Sequence, residues 1–473
     1  MPMFRSKLST LTLVLLFSST LHAQEMMPLG NEFRVNQVTA NEQSLPHVAS
    51  DVDGSYVIVW RSWNQGGSGG SIWVRRYGAD HEPVTDEIQV AAGLGSSDRP
   101  YVYRWSEGRY AIVYLQSSSA KLRVLQADNS LSEVYDLAIG TDFDIDIRND
   151  ELLVAYTASQ HIRLRKWDLL TNEWMGAYEQ ASEAPSANYQ LPQVRWMSTG
   201  NIVAVYRGGS PSPHHIYRKT FNASLLAQTP EASVYSSSGS LGVINISINA
   251  QDQLLIYARY GVNGIDVFNG RVLDAQGEVL IESVGNTSAS YAYYYTDCEL
   301  FDDGAVVLTN NYKTSLNDPL DYCVRANYGL YLGSPNTGFD IATTTTSGVQ
   351  RNPAVAKLPD GGFILVWNGN GFQGDPDGVY ARAFAAASFP TAVPAPNALA
   401  METWPNPFRE QLFISVDATT PLDVFDATGR IVHSRLLLPG TTAMELPQLK
   451  PGAYMLRWKA ADDTPMMVRV VKE

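Results

Sequence analysis

The residues with the clearest chemistry are aromatic, amide and carboxylate side chains in three polar segments, 61–71, 311–321 and 368–378. An aromatic ring can stack on the face of a sugar, while amides and carboxylates bond its hydroxyl groups. The segments therefore predict a glycan-binding surface, although simple surface mobility is an equal alternative. The candidate ligand-binding residues are Trp63, Asn64, Tyr312, Asn317, Asp318, Asn370, Phe372, Asp375 and Asp377.

Signals for catalysis are sparse. The sequence has no Ser-centred nucleophile elbow, no HExxH motif and no phosphate-binding Gly loop. The Tyr-rich residues 291–295 and the His214-His215 pair leave a polysaccharide lyase open, and paired hydrolase carboxylates cannot be recognised without geometry. Asp51 and Asp53 fit turn chemistry better than a calcium loop. We therefore assign no catalytic residue, no cofactor and no metal.

One sequence motif recurs between residues 46 and 367, and its positions show which strands the three polar segments connect. It is an apolar strand, a tight turn, and a strongly apolar strand ending in an aromatic residue, as in PHVASDVDGSYVIVW (46–60) and PAVAKLPDGGFILVW (353–367). There are seven copies at steps of about 42 to 58 residues, and they end at Trp60, Tyr114, Tyr156, Tyr206, Tyr257, Thr309 and Trp367. The sixth, which ends on Thr309, lacks the aromatic residue. Each copy has enough β-prone sequence for four strands, so residues 24–388 are predicted to form an all-β, seven-bladed β-propeller.

The three polar segments join the second and third strands of copies 1, 6 and 7. These copies are neighbours in a closed ring, so their loops should cluster in one sector of one face. The last copy is one strand short, and residues 30–37 can supply that outer strand and close the ring.

Residues 353–367, and nearly also 46–60, resemble the repeat P-x-V-A-x-L-x-D-G-G-F-V-V-V-W of bacterial secreted and surface propellers. This resemblance implies a fold but no single activity. A second marker is a basic residue inside the next strand of every copy. Long basic side chains cover apolar surface with their stems, so we favour a structural role for this series over a functional ring. Its members are Arg75, Arg123, Arg165, Lys219, Arg271, Arg325 and Arg382.

The first 23 residues have the layout of a cleaved signal peptide. Arg5 and Lys7 precede an apolar run over 8–21, and Ala23 supplies a small residue at the cut. The run is too short for a permanent membrane span, although a retained anchor is the alternative. We expect no transmembrane segment after signal removal.

The chain changes character after Ser388. Residues 389–401 are Pro-rich and are interpreted as a linker. Residues 402–473 contain short strands joined by turns at DATGR (426–430) and LKPG (449–452). This pattern predicts a small Ig-like β-sandwich.

Residues 402–473 also resemble the C-terminal sorting domain (type A) of type IX secretion system substrates. The matching motif residues are Pro405, Asn406, Pro407, Phe408, Gly429, Arg430, Pro451, Gly452 and Tyr454, followed by a terminal VRVVKE. The resemblance implies a bacterium of the Bacteroidota, with the outer-membrane translocon and a sortase-like protease as partners. It implies export through the periplasm to an extracellular or surface-attached location. An ordinary binding module of the same fold is the alternative.

The net charge indicates which partners the chain can bind, and the two cysteines raise the question of a disulfide. The net charge of −14, from 34 basic and 48 acidic residues, repels phosphate backbones and disfavours nucleic acid. Cys298 and Cys323 are the only cysteines and are candidates for a disulfide in an oxidising compartment. Both fall in one repeat, so the sequence leaves their pairing open.

These features together predict a secreted or cell-surface binding and adhesion module for a glycan or an extracellular protein. The alternative is an extracellular polysaccharide hydrolase or lyase that uses the same propeller face, and a structural role in a surface assembly is a third. An acidic pair or a Tyr/His pair at the channel mouth would favour the enzyme.

Overall fold

The computed structural model describes residues 28–385 and 402–473, except for 96–98, 184–187, 210–211, 263–264, 290–295, 314–321, 331–336, 341–347, 371–374, 376, 417–418, 427–429 and 460–464. The chain divides into two compact units, Met1–Ala387 and Ser388–Glu473. All regular secondary structure in the described residues is β-strand. None of these residues forms a helix of the length and hydrophobicity that a membrane crossing requires. The predicted signal peptide and linker lie outside the described residues.

The strands of the first unit follow closely the repeat in the sequence. They begin with β1 (Phe33–Arg34), β2 (Gln43–Ser50), β3 (Tyr56–Trp63), β4 (Gly70–Tyr77), β5 (Ile88–Leu94), β6 (Pro100–Ser106), β7 (Arg109–Gln116), β8 (Ser119–Leu125), β9 (Tyr135–Asp136), β10 (Phe143–Arg148), β11 (Glu151–Ala158), β12 (His161–Asp168), β13 (Glu173–Gln180) and β14 (Gln190–Trp196). They continue with β15 (Ile202–Gly208), β16 (His214–Phe221), β17 (Ala232–Ser237), β18 (Leu241–Ile248), β19 (Leu254–Val262), β20 (Ile265–Leu273), β21 (Val279–Ala289), β22 (Thr296–Leu300), β23 (Ala305–Lys313), β24 (Tyr322–Leu330), β25 (Thr337–Asp340), β26 (Gln350–Lys357), β27 (Phe363–Gly369) and β28 (Gly378–Phe384).

The described strands of this unit pair into seven antiparallel four-stranded sheets. We number them sheets 1 to 7: β2–β5, β6–β9, β10–β13, β14–β17, β18–β21, β22–β25, and β26–β28 with β1 at the outer edge. The first strand of each sheet contacts the first strand of the next, and β26 contacts β2, so the seven first strands form a closed circuit. An all-β, propeller-like fold is thereby confirmed. Equating each sheet with one blade remains our prediction, which this circuit supports.

The core lies between neighbouring sheets and explains why the second strand of each repeat is so apolar. In β3, Ile58 and Trp60 pack with sheet 7, whereas Val57 and Val59 pack with sheet 2. All four side chains are fully buried. Because successive side chains of a strand point to opposite faces, a sheet packed on both sides needs apolar residues at every position of such a strand.

Sheet 7 is completed by the N-terminal segment, as the sequence predicts. Phe33 pairs with Ala381 and Arg34 pairs with Tyr380. The outer edge of the last sheet is therefore covered by β1, which comes from the other end of the unit.

The second unit contains β29 (Glu402–Trp404), β30 (Gln411–Val416), β31 (Thr420–Phe425), β32 (Ile431–Leu437), β33 (Gly440–Glu445), β34 (Gly452–Lys459) and β35 (Pro465–Lys472). A three-stranded sheet, β29-β30-β33, and a four-stranded sheet, β32-β31-β34-β35, share one apolar core. The first includes Leu412 and Ile414, and the second includes Leu422 and Leu456. The sequence does not reveal the short β29 or the polar β33.

The two cysteines do not form a disulfide. Cys298 in β22 pairs with Leu308, and Cys323 in β24 pairs with Tyr312, so all of β23 lies between them. Two sheet spacings amount to about 10 Å, to which an offset of four residues along β23 is added. A disulfide needs Cα atoms within roughly 7 Å.

Candidate functional site

In sheet 1, two of the predicted ligand-binding residues lie at the end of β3. The Asn64 side-chain oxygen accepts a hydrogen bond from the Gly69 backbone N–H at 3.1 Å, and Asn64 has a φ of 58°. Its amide therefore shapes the turn, as Asn often does in the left-handed region. Trp63 is half-buried, and the Arg61 guanidinium lies 6.0 Å from its ring centroid.

Of the two predicted carboxylates of sheet 7, Asp375 bonds the N-terminal segment and Asp377 bonds its own sheet and the start of β2. Asp375 is buried and accepts a hydrogen bond from Asn36 Nδ2 at 2.8 Å. Asp377 accepts one from Asn368 Nδ2 at 3.2 Å, and its backbone oxygen accepts the N–H of Gln43 at 2.8 Å. Their ligand role stays a prediction, since the structure shows them in structural bonds.

A chain of ion pairs connects sheets 7 and 1 near Trp63. Arg351 lies 3.4 Å from Asp377 and 3.9 Å from Glu42, and Glu42 in turn binds Arg61 at 2.8 Å. The predicted Trp63 and Asp377 are thus linked through three charged residues. The sequence did not single out Glu42, Arg61 or Arg351.

Of the other residues predicted from the loops, only Asn370 has a described side-chain contact. The Asn370 side-chain oxygen accepts the Val349 N–H at 2.7 Å, which is a loop-closing bond. The side chain of Tyr312, and all of Asn317, Asp318 and Phe372, lie outside the described residues.

A cavity of about 560 Å³ lies on the inner side of the first strands and is lined by all seven of them. Five of the seven first strands repeat one local pattern, polar–apolar–polar, in which the central residue is buried between sheets and the two flanking residues line the cavity. These triplets are Tyr101-Val102-Tyr103, Asp144-Ile145-Asp146, Gln193-Val194-Arg195, Asn245-Ile246-Ser247 and Asp297-Cys298-Glu299. The matching positions of sheets 1 and 7, His47-Val48-Ala49 and Ala354-Val355-Ala356, have alanine in place of one or both polar residues. We call this cavity the channel.

One side of the channel wall, formed by sheets 1 to 3, is aromatic. The ring of Tyr101 lies 5.5 Å from His47 and 5.8 Å from Phe143, centroid to centroid. Tyr103 lies 6.0 Å from His47, and the Arg99 guanidinium lies 5.3 Å from the Tyr101 ring. We call His47, Tyr101, Tyr103 and Phe143 the aromatic wall.

Sheets 4 to 6 contribute amide, hydroxyl and carboxyl groups to the channel. Asn245 donates to the Thr296 hydroxyl at 2.6 Å, and the Ser247 hydroxyl donates to Glu299 at 2.6 Å. Gln193 and Asp297 line the same region. We call Gln193, Asn245, Thr296 and Asp297 the polar wall.

Burial alters the charge of two channel carboxyls. It raises the pKa of Asp297 to about 7, with a further upward contribution from Glu299. It raises the pKa of Asp146 to about 6, against the opposing charge of Arg195. Both groups carry less negative charge near neutral pH than their residue type suggests.

The same surroundings keep His47 neutral. Burial, followed by the charges of Arg99 and Arg195, lowers its pKa to about 3. Its Nδ1 accepts a 3.4 Å hydrogen bond from the Val102 N–H, which places the ring proton on Nε2. His47 therefore presents a donor to the channel.

The histidines named from the sequence lie elsewhere. His214 and His215 begin β16, the third strand of sheet 4, and His215 Nδ1 contacts the Ser233 hydroxyl at 3.1 Å. In the channel, the structure brings together His47 and Tyr101, a Tyr/His pair that sequence reasoning missed. The triplet pattern of the first strands was the available signal.

In the second unit, the predicted sorting motif binds the last strand. Asn406 donates to the Arg469 carbonyl at 3.1 Å and accepts from the Val471 N–H at 2.8 Å. The Phe408 side chain is buried in the core, and the Tyr454 hydroxyl donates to the Lys450 carbonyl at 2.7 Å across the LKPG turn. Pro405, Pro407, Arg430, Pro451 and Gly452 are exposed, and Gly429 lies outside the described residues.

Solved structures with similar folds are β-propeller-like. A protein of unknown function from Dyadobacter fermentans has a TM-score of 0.46 at 9% identity, covering 76% of this chain and 99% of its own. A PL25 ulvan lyase has a TM-score of 0.47 at 11% identity, covering 77% and 95%. The β-propeller domain of the Trilobed protease from Pyrococcus furiosus has a TM-score of 0.43 at 10% identity, covering 75% and 98%. At these values the similarity bears on no activity.

No curated protein matches the chain. Residues 402–473, however, match the family model described as the secretion system C-terminal sorting domain. This match agrees with the motif residues that the structure places around β35. The chain therefore carries a type IX secretion sorting tail, which implies export to the cell surface or the extracellular space.

Proposed function

We propose that the first unit is an extracellular glycan-binding module whose ligand enters the channel between the aromatic wall and the polar wall. The observation that carries this proposal is the arrangement of Tyr101, His47 and Phe143 as contacting rings on one side, with Asn245 and Thr296 in the polar wall. A sugar has apolar ring faces and polar edges, so it satisfies both walls at once.

The size and charge of the channel support the same ligand. A volume of about 560 Å³ falls within the usual range for small-molecule sites. Charged groups in the channel are largely paired, as Arg195 is with Asp144 at 2.6 Å and Lys357 with Glu299 at 3.3 Å. A wall of paired charges and hydrogen-bonding groups suits a hydroxyl-rich ligand.

The predicted loop residues extend this proposal to the rim. Gln43, at the start of β2, pairs with Ser62, so Trp63 lies at the same end of sheet 1 as the start of its first strand. A bound chain that leaves the channel there would reach Trp63 and the ion pairs around Glu42. We assign Trp63 to this outer part of the binding surface.

Affinity electrophoresis of the full chain through gels containing single polysaccharides tests the proposal. We expect retardation by at least one polymer, loss of that retardation in Tyr101→Ala, and its retention in Tyr101→Phe. Tyr217→Ala, which removes a half-buried tyrosine outside the channel, is the matched control. Equal retardation of Tyr101→Ala and the wild type would remove the channel from the binding surface.

A polysaccharide lyase is the second candidate function, because His47 and Tyr101 form a Tyr/His pair inside the channel. The engaged Nδ1 and low pKa of His47 make it a poor general base, which favours binding over catalysis. The retarding polymer should be incubated with the protein and assayed for unsaturated uronic acid and for new reducing ends. Either product, abolished in Tyr101→Phe, would establish the enzyme instead.

A further inference from the structure

The periodic basic residues have a structural role in sheets 1, 2 and 5. Arg75 donates to the Thr85 carbonyl of its own sheet and to the Val35 carbonyl beside β1 of sheet 7, at 3.0 and 2.9 Å. Arg123 likewise donates to Ser132 in sheet 2 and to Val90 in sheet 1, and Arg271 donates to Val234 in sheet 4. Each arginine therefore ties its sheet to the outer strand of the preceding one.

Sheet 3 departs from this rule. Arg165 donates to the Gly176 carbonyl of its own outer strand at 2.9 Å, and its guanidinium lies 4.5 Å from the Trp174 ring centroid. Within the described part of the chain it makes no hydrogen bond to sheet 2. The outer strand of sheet 2 is only two residues long, Tyr135–Asp136.

A second guanidinium–aromatic pair lies beside the first. Arg163 lies 4.1 Å from the Tyr178 ring centroid. Arg163 and Arg165 are alternate residues of β12, so they share one face and are separated by about 6.6 Å. Tyr178 is 46% exposed, and nearly every residue of β13 is exposed. We call Arg163, Arg165, Trp174 and Tyr178 the arginine–aromatic face.

The acidic residues of this strand pair point the other way. Glu173 pairs with Asp168 and Glu179 pairs with Leu164, which places both on the face opposite Arg163 and Arg165. In the outer part of sheet 2, Lys121 and Asp136 bind each other at 2.5 Å. The arginine–aromatic face is thus a net positive surface on a chain whose net charge is −14.

The side chains of this face indicate which class of ligand it can bind. A guanidinium beside an aromatic ring can still donate from its two terminal amino groups, which match carboxylate and sulfate oxygens. In Arg165 it is the Nε that binds the Gly176 carbonyl. Because the Cα atoms of Arg163 and Arg165 lie about 6.6 Å apart on one face, the two side chains suit anionic groups on neighbouring units of one polymer. The exposed Tyr178 adds a ring edge against which a sugar can pack.

We infer that the arginine–aromatic face of sheet 3 is a second binding site, separate from the channel, for an anionic polysaccharide chain. It lies on the outer strand of its sheet, whereas the channel lies on the first strands. Binding here does not depend on the channel ligand, so this inference stands or falls apart from the proposed function.

Binding of the full chain to immobilised polygalacturonate, with dextran as the neutral polymer, tests the inference. We expect Arg163→Gln and Tyr178→Ala each to weaken polygalacturonate binding about ten-fold, and added salt to weaken wild-type binding. Arg109→Gln is the matched control, because Arg109 also lies 4.1 Å from an aromatic ring, that of Trp105, and we expect it to bind like the wild type.

Three outcomes would overturn the inference. They are absence of salt-sensitive binding to polygalacturonate, equal losses in Arg163→Gln and Arg109→Gln, or equally tight binding of poly-glutamate, which would point to acidic peptides. Circular dichroism of each variant shows whether the fold is retained. Should Tyr178→Ala fail to fold, Arg163→Gln together with Arg165→Gln provides the same test.

Discussion

The Asp144 carboxylate of sheet 3 accepts a hydrogen bond from the Val194 backbone N–H of sheet 4 at 2.8 Å. Asp146 and Trp196 repeat this relationship between the same two sheets. It also joins other neighbouring sheets: His47 with Val102, Ser247 with Leu300 and Asp297 with Val355. A first strand has a sheet partner on one side only, so its inner-edge N–H groups need other acceptors. Polar side chains of the preceding sheet supply them.

We predict that Asp144→Ala destabilises the first unit by about 3 kcal/mol. The substitution removes the hydrogen-bond acceptor of the Val194 N–H and the ion-pair partner of the Arg195 guanidinium in the channel wall. Asp144→Asn keeps an acceptor for the N–H and should cost less. Urea denaturation followed by Trp fluorescence measures both changes. Indistinguishable stability of Asp144→Ala and the wild type would show that this edge bond contributes nothing.

This bond also shows how far the sequence predicts the molecule. The repeat of apolar second strands reveals the seven sheets, because packing on both faces imposes an apolar run such as Val57 to Trp60. The first strands carry weaker patterns, and only the fold reveals that Asp144 faces the residues 50 positions later. Sequence reasoning therefore identified the rim loops and missed the channel.

The residues predicted from the polar loop segments show a second limit of what the sequence can predict. Asp375 stands in a Gly-rich segment that suggests an exposed loop, yet it is buried against Asn36, 339 residues earlier in the chain. A contact between residues so far apart in the chain leaves no pattern in the sequence around Asp375. A carboxylate in a polar segment cannot be assigned to a ligand until the closure of the ring is known.

The closure contact itself is testable. Asn36 is 1% exposed, donates to Asp375 and accepts from the Val379 N–H at 2.8 Å. We predict that Asn36→Ala costs about 2 to 4 kcal/mol, because it removes the donor to a buried oxygen of Asp375 and leaves the buried Val379 N–H unsatisfied. The measurement is urea unfolding, with limited proteolysis to detect release of the N-terminal segment.

The neighbouring Gln37 provides the control, because its amide binds Asp86 at the exposed surface. We expect Gln37→Ala to change stability by less than about 0.5 kcal/mol. Similar losses in both variants would mean that the segment as a whole, and not the Asn36 contact, closes the ring.

The channel carboxyls predict how stability depends on pH. Burial raises the pKa of Asp297 to about 7, whereas an unfolded Asp titrates near about 4. Between these values the folded protein holds a proton that the unfolded chain has released, so the contribution of Asp297 to stability falls as pH rises from about 4 to about 7. Above this window its effect is constant.

Asp297→Asn should remove this dependence while keeping an acceptor for the Val355 N–H. We expect the variant to gain up to about 4 kcal/mol over the wild type at pH 8, and to gain little at pH 4. Thermal unfolding across this pH range measures the difference, and the exposed Glu133→Gln is the control. A constant difference between Asp297→Asn and the wild type at every pH would contradict the prediction.

The last prediction concerns the role of the sorting tail in export of the chain. Residues 402–473 match the sorting domain, and Asn406 fixes their first segment to the final strand through Arg469 and Val471. In a bacterium with a type IX secretion system, a chain lacking residues 402–473 should accumulate in the periplasm. Asn406→Ala removes both bonds to β35 and should reduce export without abolishing it.

Cell fractionation, combined with protease treatment of intact cells, locates each variant. Tyr101→Ala is the control, because a change in the channel should not alter recognition of the tail, and this variant should reach the surface in normal amounts. Surface arrival of the chain without residues 402–473 would mean that export is directed from the first unit, and the tail would then lose its assigned role.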